Sequence, residues 1–316
     1  GIAVSDLFLE SGDAIVETRG RDPLQNETYR ASRPNQYPDL SVLVLVDGTS
    51  ASASEIVAGA LQDHDRALVV GETTFGKGVV QSLYRLSGGN VLRLTTARWY
   101  TPVGRSIHKP GDERMEEMEN GHPALALSGQ ITTAPELEGR PTVESMGGRA
   151  LYGGGGITPD VLIGPDTLSD AEEQAVRSIY REAGRFNVAL FNFAVRYVRE
   201  HPALEPGFRL DEAELSAFYQ ALPEWDIEVD RADFDAARRF VEYQLEREIA
   251  LQAWGEDGEF LQMRRYDQPL NRALELLRRS SSTEELLALG ADALRADTEV
   301  ADEVPGAADG SDPSGS

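Results

Sequence analysis

The hydrophobic positions divide the chain into two unlike parts. Up to about residue 164 they come in short β-branched runs or alternate with polar residues, the periods of strands. Residues 2–9 are one exception, with Ile2, Val4, Leu7, Phe8 and Leu9 reading as a short helix. Asp13–Thr18 alternates as a strand, and Arg19–Pro38 is polar, holds three prolines and reads as a surface loop. Val42–Val46 (VLVLV) has the composition of a buried strand. A small-residue turn follows over 47–54, then a helical pattern from Glu55 to His64 and a second apolar strand, Ala67–Val70. That strand runs into a glycine-rich loop carrying Lys77. Val79–Leu86 and Asn90–Ala97 alternate around Ser87-Gly-Gly-Asn90, a hairpin signal. Trp99–His108 continues extended, and Ile157–Ile163 reads as a last strand.

Beyond Pro165 the period changes to three and four. Ser169-Asp-Ala-Glu-Glu173 is an N-cap with an acidic first turn. Helical spacing follows to His201, with Gly184 as a candidate split, then over 211–221, 231–254, 260–280 (broken near Pro269) and 283–295. The aromatic stripe on these helices reads as core, not as a ligand cage. Residues 109–150 show no period; Asp112–Glu119 (DERMEEME) reads as a solvated acidic turn or short helix. Such a long loop is either a lid over a cleft or a mobile insertion. Residues 297–316 are acidic and Gly/Ser/Pro-rich, the signature of disorder. The expected organisation is therefore an α/β core over 1–164 with an insertion at 109–150. An all-α domain over 165–296 and the tail 297–316 follow.

Composition narrows the function classes. The chain has 316 residues, 41% of them hydrophobic, enough for a sizeable core. Its net charge of −24 argues against nucleic-acid binding, which needs a basic face. There is no cysteine, hence no disulfide and no cysteine metal site. No apolar run reaches the roughly 18 residues of a membrane span. His108, His122 and His201 stand apart, no HExxH or paired-histidine spacing occurs, and neither metal nor cofactor is expected.

The stretch 42–81 holds the candidate chemistry. Strand, tight turn, helix, strand and loop is how an α/β fold presents a nucleophile. Ser50, Ser52 and Ser54 at a helix start are either N-caps or hold a nucleophile near backbone N–H groups able to bind an oxyanion. A lysine serves as base only when neutral, which burial without a counter-ion favours. By sequence the nearest acids to Lys77 are Glu72 and Asp112. Gly71–Gly78 nearly matches the phosphate-loop pattern GxxxxGK[ST] but ends on Gly78, with no hydroxyl for Mg²⁺ and a strand where a helix should follow. Ser52, Asp63 and His64 do not form a triad, because twelve helical residues put His64 about 18 Å from Ser52. Gly153–Gly156 reads as a tight backbone passage into the last strand.

The stretch SASASEI followed by RALVVGETTFGKGVVQ closely resembles the C-terminal processing peptidases, or tail-specific proteases. RWYTPVGRSI (98–107) and RALYGGGGITPDV (149–161) extend the resemblance more loosely. These are Ser–Lys serine endopeptidases on a ClpP/crotonase-like fold. The resemblance implies Ser52 as nucleophile, Lys77 as base 25 residues later, the Ala53 N–H as one oxyanion donor, and Gln81 orienting Lys77. An offset of four on a strand places Lys77 and Gln81 on one face. It also implies protein or peptide substrates cut near apolar C-termini, in the periplasm or cell envelope. In the family a PDZ domain, an export signal and a second oxyanion glycine precede the point where this chain starts, so the core is expected to be incomplete at its beginning. Thr49 departs from the family's usual glycine. The helical region is expected either to form a homo-oligomer or to cap the cleft. Two other classes remain: a non-catalytic peptide-binding scaffold with the same fold, and a crotonase-like acyl-CoA enzyme, which would need a basic nucleotide site not visible here.

Overall fold

The computed structural model describes residues 1–111, 123–133, 137 and 139–302. The chain is α/β with a helical C-terminal region, and it divides into two units. One comprises Gly1–Lys109, Gly139–Leu162 and Glu275–Ser316; the other comprises Pro110–Glu138 and Ile163–Leu274. The contacts thus cut the chain at other places than the single division expected at 164/165. The described residues 275–302 group with the first unit.

The first unit is built on two sheets. β1 (Ala14–Gly20), β2 (Glu27–Arg30), β5 (Val79–Arg85) and β6 (Val91–Tyr100) form an antiparallel sheet in the order β2-β1-β6-β5. β3 (Val42–Val46), β4 (Ala67–Gly71) and β11 (Val161–Leu162) form a parallel sheet in the order β11-β4-β3. Every residue of the central strand β4 is buried. β3, read from its composition as buried, lies at the sheet edge, is only half-buried and exposes Leu45. The polar stretch 19–38 is less irregular than its prolines suggest: Glu27–Arg30 pairs antiparallel with β1.

Helix α1 (Ile2–Ser5) is a single turn, and α2 (Ala53–Asp63) makes the crossover between β3 and β4. Its inward face carries Ile56, Ala58, Ala60 and Leu61. These meet Ile15, Val16, Val69, Ile107 and Ile157 in one apolar cluster. Each large side chain fully buried there contributes roughly 1.5–3 kcal/mol. β9 (Thr142–Glu144) and β10 (Ala150–Tyr152) form a small antiparallel pair. The last helix of the chain, Thr283–Asp302, packs so closely on β4 that a Cβ on Gly290 would lie 2.4 Å from Leu68 Cδ1. Residues 297–302, expected to be disordered, continue this helix; 303–316 lie outside the described residues.

The second unit is helical apart from the hairpin β7 (Pro123–Leu125) and β8 (Ile131–Thr133). The helix run expected over 169–201 is two helices, α3 (Asp170–Ile179) and α4 (Ala183–Glu200), joined by a 3₁₀ turn. α5 (Glu212–Ala221), α6 (Arg231–Ala236) and α7 (Arg238–Met263) follow. The Ser169 capping box is formed, with Glu172 accepting the Ser169 N–H at 2.8 Å. The aromatic stripe is core: Phe186, Phe193, Phe218, Phe234 and Phe240 meet in one cluster with edge-on ring contacts. α8 (Gln268–Arg279) starts beside Pro269, where a missing N–H costs nothing, and the helix of 283–302 is α9. The aperiodic segment 109–150 contains β7, β8 and β9, too short for periodicity to register. Asp112–Glu119 lies outside the described residues.

Candidate active site

Ser52 is the N-cap of α2 and holds φ 57°, ψ −108°. A non-glycine residue at positive φ costs of order 1–3 kcal/mol and persists only where its surroundings impose it. The constraint is Glu55, one turn into the helix and fully buried. Its Oε2 accepts the Ser52 N–H at 2.7 Å. Ser52 and Glu55 stand as a capping box, of which the Glu55 half is a full hydrogen bond. The Ser52 side chain itself is exposed. Ala53 is the first residue of α2, so its N–H has no intrahelical acceptor and is available at the helix N-terminus.

The same carboxylate holds the loop after β4. Glu55 Oε2 also accepts the Lys77 N–H at 2.9 Å, while Oε1 accepts the Gly76 N–H at 2.7 Å and the Thr74 hydroxyl at 2.6 Å. One oxygen therefore joins the backbones of Ser52 and Lys77, whose nitrogens are no farther apart than the sum of their two distances to it. The Phe75 N–H donates to the Ser50 carbonyl at 2.9 Å, a second stitch between the same segments. Hydrogen bonds to a charged acceptor contribute about 1.5–3 kcal/mol each, so Glu55 is a principal fastener of the site.

The loop is fixed from its other side as well. Thr74 exchanges backbone and side-chain bonds with Ile157, and the Lys109 N–H donates to the Gly76 carbonyl at 3.0 Å. Gly156 passes so close that a Cβ there, at φ +70°, would stand 2.5 Å from the Thr74 carbonyl. The glycine run 153–156 is a close backbone passage beside the Lys77 loop. The phosphate-loop look-alike ends on Gly78, where a Cβ would meet the His108 nitrogen at 2.3 Å; no helix follows it.

Two expectations about Lys77 are corrected. Its side chain is exposed, not buried. The buried lysine of this region is Lys109, 6% exposed, the only other lysine of the chain. The β3–α2–β4 crossover returns the chain to the start of α2 and brings the Glu55 carboxylate to the Lys77 backbone N–H. The signal for Glu55 was present as Ser52-x-x-Glu55, the capping-box spacing. An even offset puts Lys77 and Gln81 on one face only along a strand, and Lys77 lies two residues ahead of β5; the bulge opposite Val80 and Gln81 places its extra residue, Thr96, on β6. Gln81 is exposed and reaches Thr95 Oγ1 at 3.5 Å. No hydrogen bond joins it to Lys77 among the described residues.

Upstream, Asp47 organises the turn. Its Oδ1 accepts the N–H and hydroxyl of Thr49 and of Ser50 at 2.8–3.0 Å. Partial burial pushes the Asp47 carboxyl up, and these four bonds more than offset it, leaving its pKa lowered. Thr49 thus adds a hydroxyl bond that a glycine could not make. At the far end of α2, His64 approaches the Ala14 carbonyl at 2.7 Å, away from Ser52. There, Arg105 pairs with Asp63, and Arg149 pairs with Asp65 and with Asp160 (2.7 Å). Burial pushes the Asp160 pKa up despite the Arg149 charge.

A family model described as Peptidase family S41 matches residues 1–114. A carboxy-terminal-processing protease of Bartonella bacilliformis is 51% identical over 112 residues, 35% of this chain and 25% of that protein. A carboxyl-terminal-processing protease of a Synechocystis species is 38% identical over 148 residues, 47% of this chain and 33% of its own length. The chloroplastic carboxyl-terminal-processing peptidase 1 of Arabidopsis thaliana is 41% identical over 113 residues, covering 36% and 23%. Among solved structures, a photosystem II D1 C-terminal processing protease aligns with 36% identity and a TM-score of 0.32, over 34% of this chain and 27% of that one. The chain spans between about a quarter and a third of the length of these curated relatives. The matched residues 1–114 hold Ser52, Glu55 and Lys77.

Proposed function

We propose that this chain carries the nucleophile and base of a serine endopeptidase that cuts polypeptides near apolar C-termini, on a core of ClpP/crotonase type. The observation that carries the reading is the Glu55 carboxylate, which holds the amides of Ser52 and Lys77 on one oxygen. Ser52 Oγ attacks the scissile carbonyl as the neutral Lys77 amine takes its proton. The resulting oxyanion is met by the Ala53 N–H at the start of α2. Lys77 then returns the proton to the leaving amine, and water releases the acyl group from Ser52. A bound polypeptide covers the exposed Lys77 side chain and excludes water from the pair. Gln81 is assigned the role of positioning Lys77 once substrate fills the site. By the same family reading the enzyme works in the periplasm or cell envelope, with the helical region as oligomerisation or capping element.

The test is hydrolysis of an unstructured peptide with an apolar C-terminus by wild type, Ser52→Ala, Lys77→Ala and Lys109→Met, followed across pH. Cleavage by wild type and Lys109→Met alone, with a rate that rises as one group loses its proton, supports the dyad. Activity surviving in Lys77→Ala and lost in Lys109→Met transfers the base to Lys109. Peptide binding by wild type without cleavage favours the scaffold reading.

A further inference from the structure

Residues 73–111 contain no aspartate or glutamate and six cations, Lys77, Arg85, Arg93, Arg98, Arg105 and Lys109, in a chain of net charge −24. The hairpin β5–β6 is the centre of this stretch. Among the described residues its outer half is bare on both faces. The register pairs Leu83 with Arg93 and Arg85 with Val91 on one face, and Tyr84 with Leu92 and Ser82 with Leu94 on the other. Leu83 is 68% and Val91 58% exposed, and Tyr84, Leu92 and Leu94 are exposed opposite them. An apolar ribbon uncovered on both faces is unusual on a soluble surface and marks an interaction site.

β5 is also a sheet edge. The Leu86 N–H bonds the Asn90 carbonyl at 2.9 Å, which fixes the alternation of the antiparallel ladder. Ser82 and Tyr84 then bond inward to β6, and the backbone groups of Gln81, Leu83 and Arg85 point outward, away from any strand. Arg85 and Arg93 form no ion pair among the described residues.

We infer that the free edge of β5 receives an extended polypeptide as an added strand, and that this polypeptide carries carboxylates between apolar side chains. The occupant is the substrate of the peptidase activity proposed above, so the inference rests on that reading. Strand addition satisfies the outward N–H and C=O groups, and alternate side chains meet the apolar ribbon. Arg85 and Arg93 select the acidic partner, whereas the negative charge of the whole chain repels a broad anionic surface. The strand begins two residues after Lys77, so Leu83 lies about 20 Å along the chain from it at the strand rise. A polypeptide on this edge is led toward Ser52.

The experiment uses the Ser52→Ala chain, which retains substrate, and two fluorescent peptides of alternating Leu/Val that carry either Glu or Lys between them. Anisotropy is read at low and high salt. The acidic peptide is expected to bind, more weakly as salt rises, and the basic one not to. The double reversal Arg85→Glu/Arg93→Glu should weaken the acidic peptide about tenfold and admit the basic one. Leu83→Pro removes an outward N–H that the β6 ladder does not use, and should weaken the acidic peptide more than Leu83→Ala. Equal binding of both peptides, or no change in the double reversal, overturns the inference. So does binding to anionic vesicles without peptide binding, or a charge reversal that alters only self-association. If wild type cleaves the acidic peptide and the charge-reversed enzyme cleaves it equally well, the peptidase reading stands and the edge assignment fails. If the edge variants lose binding but wild type cleaves nothing, the edge assignment stands and the peptidase reading fails.

Discussion

Glu55 Oε2 accepts the backbone N–H of Lys77 at 2.9 Å, although 22 residues separate them in the chain. The same oxygen holds Ser52, so the carboxylate sets the spacing of the proposed nucleophile and base through their backbones. Replacing Glu55 by Gln leaves one acceptor oxygen for four donors. The donors that then face an amide NH₂ cost about 1–3 kcal/mol each. Glu55→Gln is expected to lower the melting temperature and to lose peptide hydrolysis together, measured by thermal unfolding and a fluorogenic peptide.

Ser52→Gly separates these two effects. Glycine adopts positive φ without penalty, and the Ser52 side chain makes no cap hydrogen bond that would be lost. The variant is expected to be as stable as wild type or up to about 1 kcal/mol more so. Its hydrolysis falls to background because the hydroxyl is gone. A clear drop in melting temperature would show that the Ser52 side chain is needed for the fold.

Gly78→Ser completes the phosphate-loop pattern and tests whether pattern or packing governs this loop. The new Cβ would stand 2.3 Å from the His108 nitrogen and 2.7 Å from the Ile107 carbonyl carbon. Overpacking of this kind costs about 1–3 kcal/mol. Calorimetry should show a lower melting temperature, and titration with Mg²⁺-ATP no binding.

Asp47 gives an acid limb to stability. Its pKa is lowered in the fold because the Thr49 and Ser50 bonds outweigh partial burial. A lowered carboxylate stabilises above its unfolded value, about 3.9, and loses that contribution as pH falls through the lower folded value. Asp47→Asn is therefore expected to melt below wild type at neutral pH. The two curves should converge below about pH 4. A constant gap down to the lowest pH would assign the effect to packing.

Much of the fold was legible because its signals are local. The β3 run VLVLV, the small-residue start of α2, the Ser-Gly-Gly-Asn turn between β5 and β6 and the Ser169 capping box each fit within a few residues. β7, β8 and β9 are three residues each, below the length at which alternation is distinguishable. β2 lay hidden in a stretch whose prolines argued for a loop; it is held by pairing with β1, which propensity does not record.

The sequence by itself determined the chemistry on offer. A serine-rich helix start, a lysine in a glycine-flanked loop and their spacing of 25 residues are properties of the chain alone. Tertiary structure decided what surrounds them. Chain order gave only Glu72 and Asp112 as the acids flanking Lys77, and the β3–α2–β4 crossover adds the Glu55 carboxylate at its backbone N–H. Burial was assigned to Lys77, and the structure gives it to Lys109. Gln81 was aligned with Lys77 by counting along a strand, but Lys77 lies ahead of β5, which starts at Val79. In each case the deciding quantity is distance or exposure in space, which depends on how separate segments pack and which no window of sequence contains.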